Sequence, residues 1–333
     1  MDKWHTEFRD DPKFVRTELQ RVTAATGDPA LFATLLKRRA AALAGAVRWR
    51  STSTSALAPH LARAGSFENA GLCLHPLYGF AYLPGTGLKG MARAWAEFHF
   101  GENDVDVLAV FGPSEIRKDG EAYAGAVVFF EAWPTKWPRL VVDIVNNHHR
   151  DYYEKAAPPE DWENPNIVNF LAVAPGTEFE FAVAARRKGD PEGERLVGLA
   201  KQWLDAALVW LGAGAKTNAG YGRFKGVGER PALPPNREVF ECTLRLVSPA
   251  FLAGAMQGKE DCTLRPATVR GLLRWWWRTL HAGYLTVEEL RRLEGRLWGT
   301  TEAGGLISVE VEPIANPVPK EMRVVMRNGE KPA

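Results

Sequence analysis

Residues 211–224 read Leu-Gly-Ala-Gly-Ala-Lys-Thr-Asn-Ala-Gly-Tyr-Gly-Arg-Phe, and we interpret the rest of the chain outward from this stretch. Its four glycines can adopt positive φ and leave main-chain N–H groups uncovered by a β-carbon. The other side chains supply hydrogen-bond donors and flat rings, which suit a phosphate polyanion that carries bases. For the glycines alone, a turn between a helix and a last strand is the simpler interpretation. The candidate ligand contacts are Gly214, Lys216, Thr217, Asn218, Tyr221 and Arg223.

This glycine-rich stretch does not fit two common nucleotide-binding motifs. The phosphate-binding loop of NTPases needs Gly-x-x-x-x-Gly-Lys-Ser/Thr after a strand, whereas Gly212–Lys216 is one residue too short and follows a predicted helix. The dinucleotide fingerprint fails for the same positional reason. We therefore predict that the protein uses no cofactor.

A predicted helix over Thr86–Phe100 opens with a second cationic feature. Lys89 and Arg93 are four residues apart and share one face, and Gly90 between them lets a ligand approach the helix surface. Because the N-terminus of a helix favours anions, its first turn together with Lys89 can seat a phosphate. Taken alone, a solvated lysine and arginine would be the commoner explanation.

The same arrangement returns near the C-terminus and predicts an internal repeat of strand, proline-marked turn and helix. Aligning Lys89-Gly90 with Arg270-Gly271 superimposes a further arginine and a tryptophan, with Thr86 and Thr268 as the expected N-caps. We expect Trp276 to lie mostly in the core. The aligned pairs are Arg93 with Arg274 and Trp95 with Trp276. The candidate phosphate contacts of the two helices are Lys89, Gly90, Arg93, Arg265, Arg270 and Arg274.

The composition is that of a folded protein with two domains. The chain has 333 residues, of which 46% are hydrophobic, and this is enough for two separate cores. Its formal net charge of +2 argues against unaided electrostatic capture of duplex DNA, so a phosphate-binding surface has to be local. No stretch approaches the roughly 18 apolar residues of a membrane span, and we expect no membrane association.

The cysteines are Cys73, Cys242 and Cys262, which are odd in number, far apart and outside any Cys-x-x-Cys pair. This pattern predicts a reducing, cytoplasmic location, with neither a disulfide framework nor a zinc site built on thiolates. The first residues of the sequence also have no apolar core of the kind that directs export.

Hydrophobic periodicity predicts a mixed α+β organisation with a stiff Pro-rich boundary at residues 231–239. Before the boundary, residues 146–169 are expected to form a long loop. The predicted helical segments there are Phe14–Arg50, Thr86–Phe100 and Glu192–Leu211. In the first of them, Asp28 is the predicted N-cap and Pro29 the first helical residue, and a basic face comprises Lys37, Arg38, Arg39, Arg48 and Arg50. The predicted strands are a pair over Gly71–Gly85 and Ala126–Ala132, Leu140–Ile144, Phe170–Val173 and Glu178–Ala184. After it, the predicted elements are strand Phe240–Val247, helices Thr268–Ala282 and Thr286–Leu297, and strand Leu306–Glu312.

These motifs resemble the RAMP superfamily of CRISPR effector proteins. The first 230 residues are similar to the sixth-subunit family of the type III-B Cmr complex, through Leu83-Pro-Gly-Thr-Gly-Leu-Lys-Gly, Val142-Asp143, Asp151-Tyr-Tyr, Pro158-Pro-Glu-Asp-Trp-Glu-Asn-Pro, Phe170-Leu-Ala-Val, Pro175-Gly-Thr-Glu-Phe and the glycine-rich stretch. Residues 240–312 are similar to the opening of the first-subunit family, through Ser248-Pro-Ala-Phe-Leu-Ala-Gly-Ala, Leu264-Arg-Pro-Ala-Thr-Val-Arg-Gly and Leu293-Glu-Gly-Arg-Leu-Trp-Gly.

The resemblance implies a ferredoxin-like (RRM-like) RAMP module with inserted helices and loops over residues 1–230. It implies a partial second ferredoxin-like module over residues 240–312 and a tail at residues 313–333. The implied function is that of a non-catalytic RNA-binding subunit of a type III-B-like effector ribonucleoprotein in antiviral defence. Such a subunit holds guide RNA near its 3′ end, or the guide–target duplex, and caps the backbone filament.

The partners that the resemblance implies are guide RNA, target RNA and other Cmr-type subunits, both backbone and small. The candidate cations would contact the sugar-phosphate backbone, which positions RNA without reading its sequence. Base pairing between guide and target then supplies the specificity.

An endoribonuclease is the alternative from another functional class. Asp143, His148 and Asp151, with His149 and Asp161 nearby, could act as general acid and base on a 2′-hydroxyl group or hold a divalent metal. No second acidic pair at metal-ligand spacing accompanies them, so we predict neither a catalytic nor a metal site. A protein-binding scaffold with solvated cations is the third possibility.

Overall fold

The computed structural model describes residues 12–59, 72–113, 123–155, 157–160, 162–228, 230–233, 235, 237–244, 247, 250, 252, 254–256, 261–300 and 303–312. The expected tail and part of the motif that begins at Ser248 lie outside these residues. The helices are α1 (Pro12–Thr23), α2 (Pro29–Ala42), α3 (Gly85–Phe100), α4 (Val105–Phe111), α5 (Arg150–Lys155), α6 (Pro191–Trp210), α7 (Pro266–His281) and α8 (Val287–Trp298). The strands are β1 (Val47–Thr52), β2 (Val127–Phe129), β3 (Trp133–Pro134), β4 (Leu140–Asn147), β5 (Asn166–Val173) and β6 (Glu178–Ala185).

The central sheet is antiparallel and has β6 in its middle. β1 pairs with one edge of β6, and β2 and β3 pair with the other. Trp49 of β1 lies opposite Phe181 of β6, and their rings stack with centroids 5.6 Å apart. A bridge between Ser53 and Phe224 brings the end of the glycine-rich stretch to the outer side of β1. The predicted mixed α/β architecture with antiparallel strands is confirmed.

The main core lies between this sheet and the helices α3 and α6. The two helices pack against each other, and α6 also packs against β6 and β2. The apolar residues of α6 recur at helical spacing on its buried face, at Leu196, Ala200, Trp203, Leu204 and Leu208. Because each fully buried large apolar side chain contributes about 1.5–3 kcal/mol, this layer dominates the stability of the N-terminal part.

β4 and β5 form a separate antiparallel ribbon with α1 packed against it. All eight residues of each strand are paired, from Leu140 opposite Val173 to Asn147 opposite Asn166. The prediction of a loop over residues 146–169 is therefore wrong at both ends, and α5 lies between the strands. Asparagines at the paired strand ends concealed the ribbon because asparagine has a low strand propensity.

The segment Phe14–Arg50, predicted to be helical, contains α1 and α2 but ends in β1, so the prediction is wrong at its end. Asp28 separates the two helices, and its carboxylate accepts N–H bonds from the first turn of α2. Two of the expected helical cations lie on β1, where Arg48 and Arg50 pair with Glu180 and Glu178 across the sheet at 3.3 and 3.4 Å.

The internal repeat extends over two helices, so that α3–α4 and α7–α8 are two copies of one unit. In each copy the second helix ends at a glycine with positive φ, which is 79° at Gly112 and 88° at Gly299. An arginine of the first helix donates to a carbonyl at that end, from Arg93 to Gly112 and from Arg270 to Trp298. The arginines of the repeat thus have a structural use inside each copy.

The N-caps expected for the two repeated helices are wrong. Thr86 and Thr268 lie inside the helices, which begin after Pro84 and Arg265, and neither of those residues caps its helix with a side chain. The first N–H groups of α3 and α7 thus have no side-chain cap.

The second copy lacks the sheet that covers the first. In the described part of residues 240–247 and 306–312 there is no strand, contrary to prediction. The face of α7 that corresponds to the buried face of α3 is open: Trp95 is 4% exposed but Trp276 is 55% exposed, and Ala92 is 0% but Leu273 is 46% exposed. The prediction that Trp276 belongs to the core is therefore wrong.

The buried carboxylate of Glu294 docks α7 and α8 on α5. Its Oε1 accepts hydrogen bonds from Arg274 at 2.7 Å and Arg278 at 2.9 Å, which belong to α7. Two tyrosines of α5 complete the shell, with the hydroxyl of Tyr152 2.8 Å from Oε2 and that of Tyr153 3.1 Å from Oε1. A buried charge needs partners of this kind, because an unpaired one costs several kcal/mol.

Gly222 is predicted to be the least replaceable glycine of the glycine-rich stretch. Its φ is +74°, and a β-carbon there would lie 1.9 Å from the carbonyl oxygen of Ala213. We expect Gly222→Ala to lower the free energy of unfolding by about 1–3 kcal/mol, measured by urea denaturation. The matched control is Gly198→Ala, because Gly198 lies on α6 with open space around its α-carbon. That change should raise stability by up to about 1 kcal/mol, and equal effects at both positions would contradict the strain argument.

The tyrosines around Glu294 should make stability fall at high pH. Burial, with the nearby Glu294 carboxylate, raises the pKa of Tyr153 from 10.0 to about 12, although Arg274 opposes the shift. Between these values the unfolded chain releases a proton that the folded chain keeps, so the free energy of unfolding decreases as pH rises. Urea denaturation from pH 9 to pH 12 should show a shallower decrease for Tyr153→Phe than for the wild type. An equal decrease in the free energy of unfolding for the two proteins would contradict a contribution from Tyr153 ionisation.

Candidate nucleic-acid interface

The glycine-rich stretch has the backbone that its sequence requires. Gly212, Gly214, Gly220 and Gly222 all have positive φ, between 74° and 84°. Lys216 adopts φ of 60°, the one such non-glycine residue in the described ranges, and precedes a single 3₁₀ turn over Thr217–Ala219. The stretch therefore doubles back sharply between α6 and the bridge to β1.

The inner side of this stretch is closed by side chains from elsewhere in the chain. The hydroxyl of Tyr221 donates to Oδ2 of Asp143 on β4 at 2.5 Å. Arg265, which precedes α7, donates to Oδ1 of the same carboxylate at 2.9 Å and to the carbonyl of Ile144 at 3.1 Å. Asp143 thus joins the ribbon, the glycine-rich stretch and the start of the second repeat copy.

Burial changes the acidity of the groups in this cluster. The ammonium of Lys216 lies 4.9 Å above the ring of Phe170, and burial lowers the pKa of this lysine while Asp143 opposes the shift. Burial, reinforced by the charge of Asp143, raises the pKa of the Tyr221 phenol. Tyr221 therefore stays protonated at neutral pH and can donate to the carboxylate.

The outer side of the stretch is covered by the segment after α8. The side-chain amide of Asn218 donates to the carbonyl of Gly305 at 3.0 Å. The main-chain carbonyl of Asn218 accepts from the N–H of Val309 at 3.2 Å. Arg223 is buried, and its Nε lies 2.7 Å from a carboxylate oxygen of Glu310. This places much of the predicted phosphate loop inside a contact between the N-terminal and C-terminal parts.

The arginines of α7 are also occupied by the protein itself. The side chain of Arg270 donates to the carbonyl of Trp298. Arg274 binds Glu294 and donates to the hydroxyl of Tyr153 at 2.7 Å. Arg93 on α3 is occupied as well, because it donates to Glu97 at 2.6 Å.

Lys89 is in a different situation, because its neighbours carry the same charge. Burial lowers its pKa, and the positive charges of Arg93 and Arg186 lower it further. Arg186 follows β6 and is exposed, as are Arg187 and Lys188 in the turn before α6. These three residues were not predicted as site residues. A run of three cations next to a Gly-Asp turn nevertheless indicates an exposed basic loop in the sequence.

Lys89 and the glycine-rich stretch lie at opposite ends of β6. Lys89 lies near Arg186, which follows the C-terminal end of β6. The glycine-rich stretch bridges to Ser53, next to Thr52, which pairs with the first residue of β6. Only α7 joins the glycine-rich stretch, where Pro266 approaches Gly220. Lys89 and the glycine-rich stretch are thus separated by the length of β6, whereas the start of α7 adjoins the stretch.

The candidates for catalysis do not form a constellation. Asp143 lies within β4, and both of its carboxylate oxygens accept hydrogen bonds from Tyr221 and Arg265. Asp151 pairs with Lys155 one turn along α5 at 3.1 Å. His149 pairs with Glu163 at 2.6 Å, His148 is exposed, and Asp161 lies outside the described residues. Within the described ranges, no group of three His, Cys, Asp or Glu side chains could hold a metal ion.

The helices of the described part of the chain include none that combines the length and the apolar character of a membrane span.

Comparison with known proteins supports the relationship expected from the motifs. The sequence model of the RAMP superfamily matches residues 39–225 and 243–328. The chain is 36% identical over 138 residues to the CRISPR system Cmr subunit Cmr6 of Pyrococcus furiosus, covering 37% of each protein. It is 31% identical over 71 residues to the CRISPR system Cmr subunit Cmr1-2 of the same organism, covering 21% of this chain and 37% of that protein.

One solved structure shows the same fold. A chain of the type III-B Cmr-beta complex bound to cognate target RNA matches with a TM-score of 0.50 and 18% identity, covering 64% of this chain and 71% of that one. The present chain spans little more than a third of the length of the two curated relatives. Similarity to Cmr6 and, over a shorter stretch, to Cmr1-2 confirms the expected relationship. Because the superfamily model covers well over half of its residues, the chain belongs to the RAMP superfamily.

Proposed function

We propose that this protein is a non-catalytic RNA-binding subunit of a type III-B-like CRISPR effector ribonucleoprotein. It holds guide RNA near its 3′ end, or the guide–target duplex, and caps the backbone filament in antiviral defence. Membership of the RAMP superfamily and similarity to Cmr6 support the type of assembly. The RNA-binding role rests on one observation, which is the cluster of like charges around Lys89.

A group of cations without sufficient counter-charge favours an anionic ligand. Lys89 and Arg186 carry like charges, and neither forms an ion pair among the described residues, although the side chain of Arg186 donates to the carbonyl of Gly125 at 2.9 Å. Phosphate binding would relieve this repulsion and satisfy the uncapped first turn of α3, one turn before Lys89. We propose that Lys89, Gly90 and Arg186 contact the sugar-phosphate backbone.

The other predicted contacts divide into two groups. Gly214 is exposed, and Lys216 and Thr217 are half-buried, so we propose that they approach RNA directly. The remaining residues pair with protein groups and are proposed to position the glycine-rich stretch and the repeated helices. These are Arg93, Asn218, Tyr221, Arg223, Arg265, Arg270 and Arg274.

We propose that the organisation is modular, with a ferredoxin-like module over residues 1–230, a linker at residues 231–239 and a partial second module over residues 240–312. In the first module, the order of the bridged Phe224 segment, β1, β6 and β2, with α3 and α6 on one face, supports this topology. The repeat of α3–α4 in α7–α8 supports a second, related module.

We propose that other Cmr-type subunits are the protein partners, and that one of them covers the open face of α7. Leu272, Trp276 and Leu280 recur every four residues on this face and are all more than half exposed. A stripe of this kind is buried in the first repeat copy by α6 and the sheet. An apolar surface left open in the chain alone fits a subunit interface.

An endoribonuclease is not favoured by the arrangement around Asp143. A general base needs a free lone pair directed at the ribose hydroxyl, whereas this carboxylate is held by a phenol and a guanidinium. We therefore propose that the chain holds RNA without cutting it.

Neutralising the cluster should weaken RNA binding in a salt-dependent way. For Lys89→Ala combined with Arg186→Ala, we expect the slope of log affinity against log salt on single-stranded RNA to fall by about 1.4, because each phosphate contact contributes about 0.7. Fluorescence anisotropy with a labelled oligonucleotide between 50 and 300 mM salt measures the slope. The control, Lys155→Ala, removes an exposed cation that is already paired with Asp151 and should leave the slope unchanged.

Two results would contradict the proposal. An unchanged slope in the double variant would show that Lys89 and Arg186 do not contact RNA phosphates. Cleavage of the oligonucleotide by the wild type in magnesium, abolished by Asp151→Ala, would instead support the endoribonuclease.

The open face of α7 should be needed for assembly and not for folding. Replacing Trp276 with Glu puts a charge on an exposed position, so the unfolding transition should stay within about 0.5 kcal/mol of the wild type. Reconstitution with purified Cmr-type subunits, followed by size-exclusion chromatography, should show loss of the chain from the complex. The exposed apolar residue Leu77 lies elsewhere, and Leu77→Glu serves as the control. Normal assembly of the Trp276 variant would rule out this face as the interface.

A further inference from the structure

A cleft of about 620 Å³ lies between α2, the first turn of α3 and the segment that joins β2 to β3. Ligand sites for molecules of nucleotide size have volumes of roughly 300–1,000 Å³. The cleft is lined by both cationic and aromatic side chains, and the uncapped start of α3 forms part of its wall. Its α2 side carries Arg38 and Arg39, which belong to the basic face of the predicted first helical segment.

The floor of the cleft holds a buried cation. The side chain of Arg39 is 7% exposed, and its guanidinium lies 4.8 Å above the ring of Trp133. It donates to the carbonyl of Glu131, while its Nε has no hydrogen-bond partner in the described part of the chain. The carboxylate of Glu131 is 3.8 Å from Arg39 and accepts from the indole of Trp133 at 2.7 Å. Glu131 is thus balanced locally, and an unsatisfied donor remains.

The ring of Tyr78 forms a second side of the cleft. The half-buried ring of Tyr78 lines the cleft and stacks on His75, with centroids 4.8 Å apart and planes inclined by 29°. Burial lowers the pKa of His75, so this ring is neutral at pH 7 and supports Tyr78 as a flat apolar platform. Tyr78 also lies parallel to Phe80, within 2°, so its plane is fixed by two neighbours.

The mouth of the cleft is suited to an anion. Gly85 and Thr86 begin α3, and a β-carbon at Gly85 would lie 2.4 Å from the carbonyl oxygen of Phe129, so glycine is needed for the helix to start there. Arg38 of α2 is exposed and lines the same opening. An uncapped helix start with an adjacent guanidinium is a favourable environment for phosphate.

We propose that this cleft holds one nucleotide of the bound RNA, with its base stacked on Tyr78 and its phosphate between Arg38 and the first turn of α3. This inference rests on the proposed RNA-binding function and locates one specific contact for it. Thr86 and Lys89 are three residues apart and share a face of α3, so a backbone held by Lys89 leads directly to the cleft. Stacking tolerates any base, which agrees with a subunit that does not read sequence.

An acidic peptide is the competing ligand, because it would also use Arg38 and the start of α3. It would leave the fixed face of Tyr78 unused, since carboxylates gain nothing from stacking on a neutral ring. The combination of a planar platform with an anion seat therefore favours a nucleotide.

The test uses the full chain and single-stranded RNA of twelve nucleotides that carries 2-aminopurine at successive positions. Stacking on Tyr78 should quench the fluorescence at one position, and Tyr78→Ala should remove the quenching and weaken binding about tenfold. Tyr78→Phe keeps the ring and should behave as the wild type. Arg38→Ala should weaken binding several-fold. Tyr284→Ala removes an exposed tyrosine at the end of α7 and serves as the control.

The possible outcomes distinguish nucleotide binding in the cleft from the proposed RNA-binding function of the chain. Suppose that Tyr78→Ala leaves the quenching and the affinity unchanged, while the Lys89→Ala/Arg186→Ala double variant still lowers the slope of log affinity against log salt. This result would contradict nucleotide binding in the cleft and would leave the RNA-binding function supported. Quenching of free 2-aminopurine riboside monophosphate by the wild type, without binding of the oligonucleotide, would support the cleft and overturn that function. Displacement of nucleotide by a short poly-glutamate peptide that itself binds with higher affinity would assign the cleft to a protein partner.

Discussion

The carboxylate of Asp143 is the point at which the separate parts of this structure meet. It lies on a strand of the β4–β5 ribbon and binds a phenol from the glycine-rich stretch and a guanidinium from the start of the second repeat copy. A half-buried carboxylate pays a desolvation cost that only paired donors can offset. The partners are therefore held in one geometry, and the glycine-rich stretch becomes a joint between the two parts of the chain.

The same physical requirement explains why so many conspicuous cations do not face solvent. Glu294 collects two arginines and two tyrosines, and Glu310 pairs with Arg223. Each of these contacts satisfies a donor that the fold has removed from water. At the other end of β6, by contrast, Lys89 lies near Arg93 and Arg186, whose charges have the same sign as its own.

The two copies of the repeat show what a common sequence unit does in different surroundings. Both contain a long helix, a shorter helix and a glycine with positive φ, with an arginine directed at the closing carbonyl. In the first copy, the apolar face of the long helix is buried by α6 and the sheet, and the start of the helix borders an open cleft. In the second copy, the start of the helix is sealed by the glycine-rich stretch and its apolar face is open. The exposed surface of the unit thus differs between the copies, being the start of the long helix in the first and its apolar face in the second.

Features that depend on nearby residues could be predicted from the sequence. Helical periodicity located α3, α6, α7 and α8, glycines marked the positive-φ turns, and the cation-Gly motif revealed the repeat and the superfamily. It failed where a short segment takes its conformation from a distant partner, as in β1 and the ends of the β4–β5 ribbon. Tertiary structure alone decided which cations are available, because the partners of a charge lie far away in sequence. Tyr221 and Arg265 reach Asp143 over 78 and 122 residues. Tyr78 and Arg186 were not predicted as site residues because only folding brings them near α3.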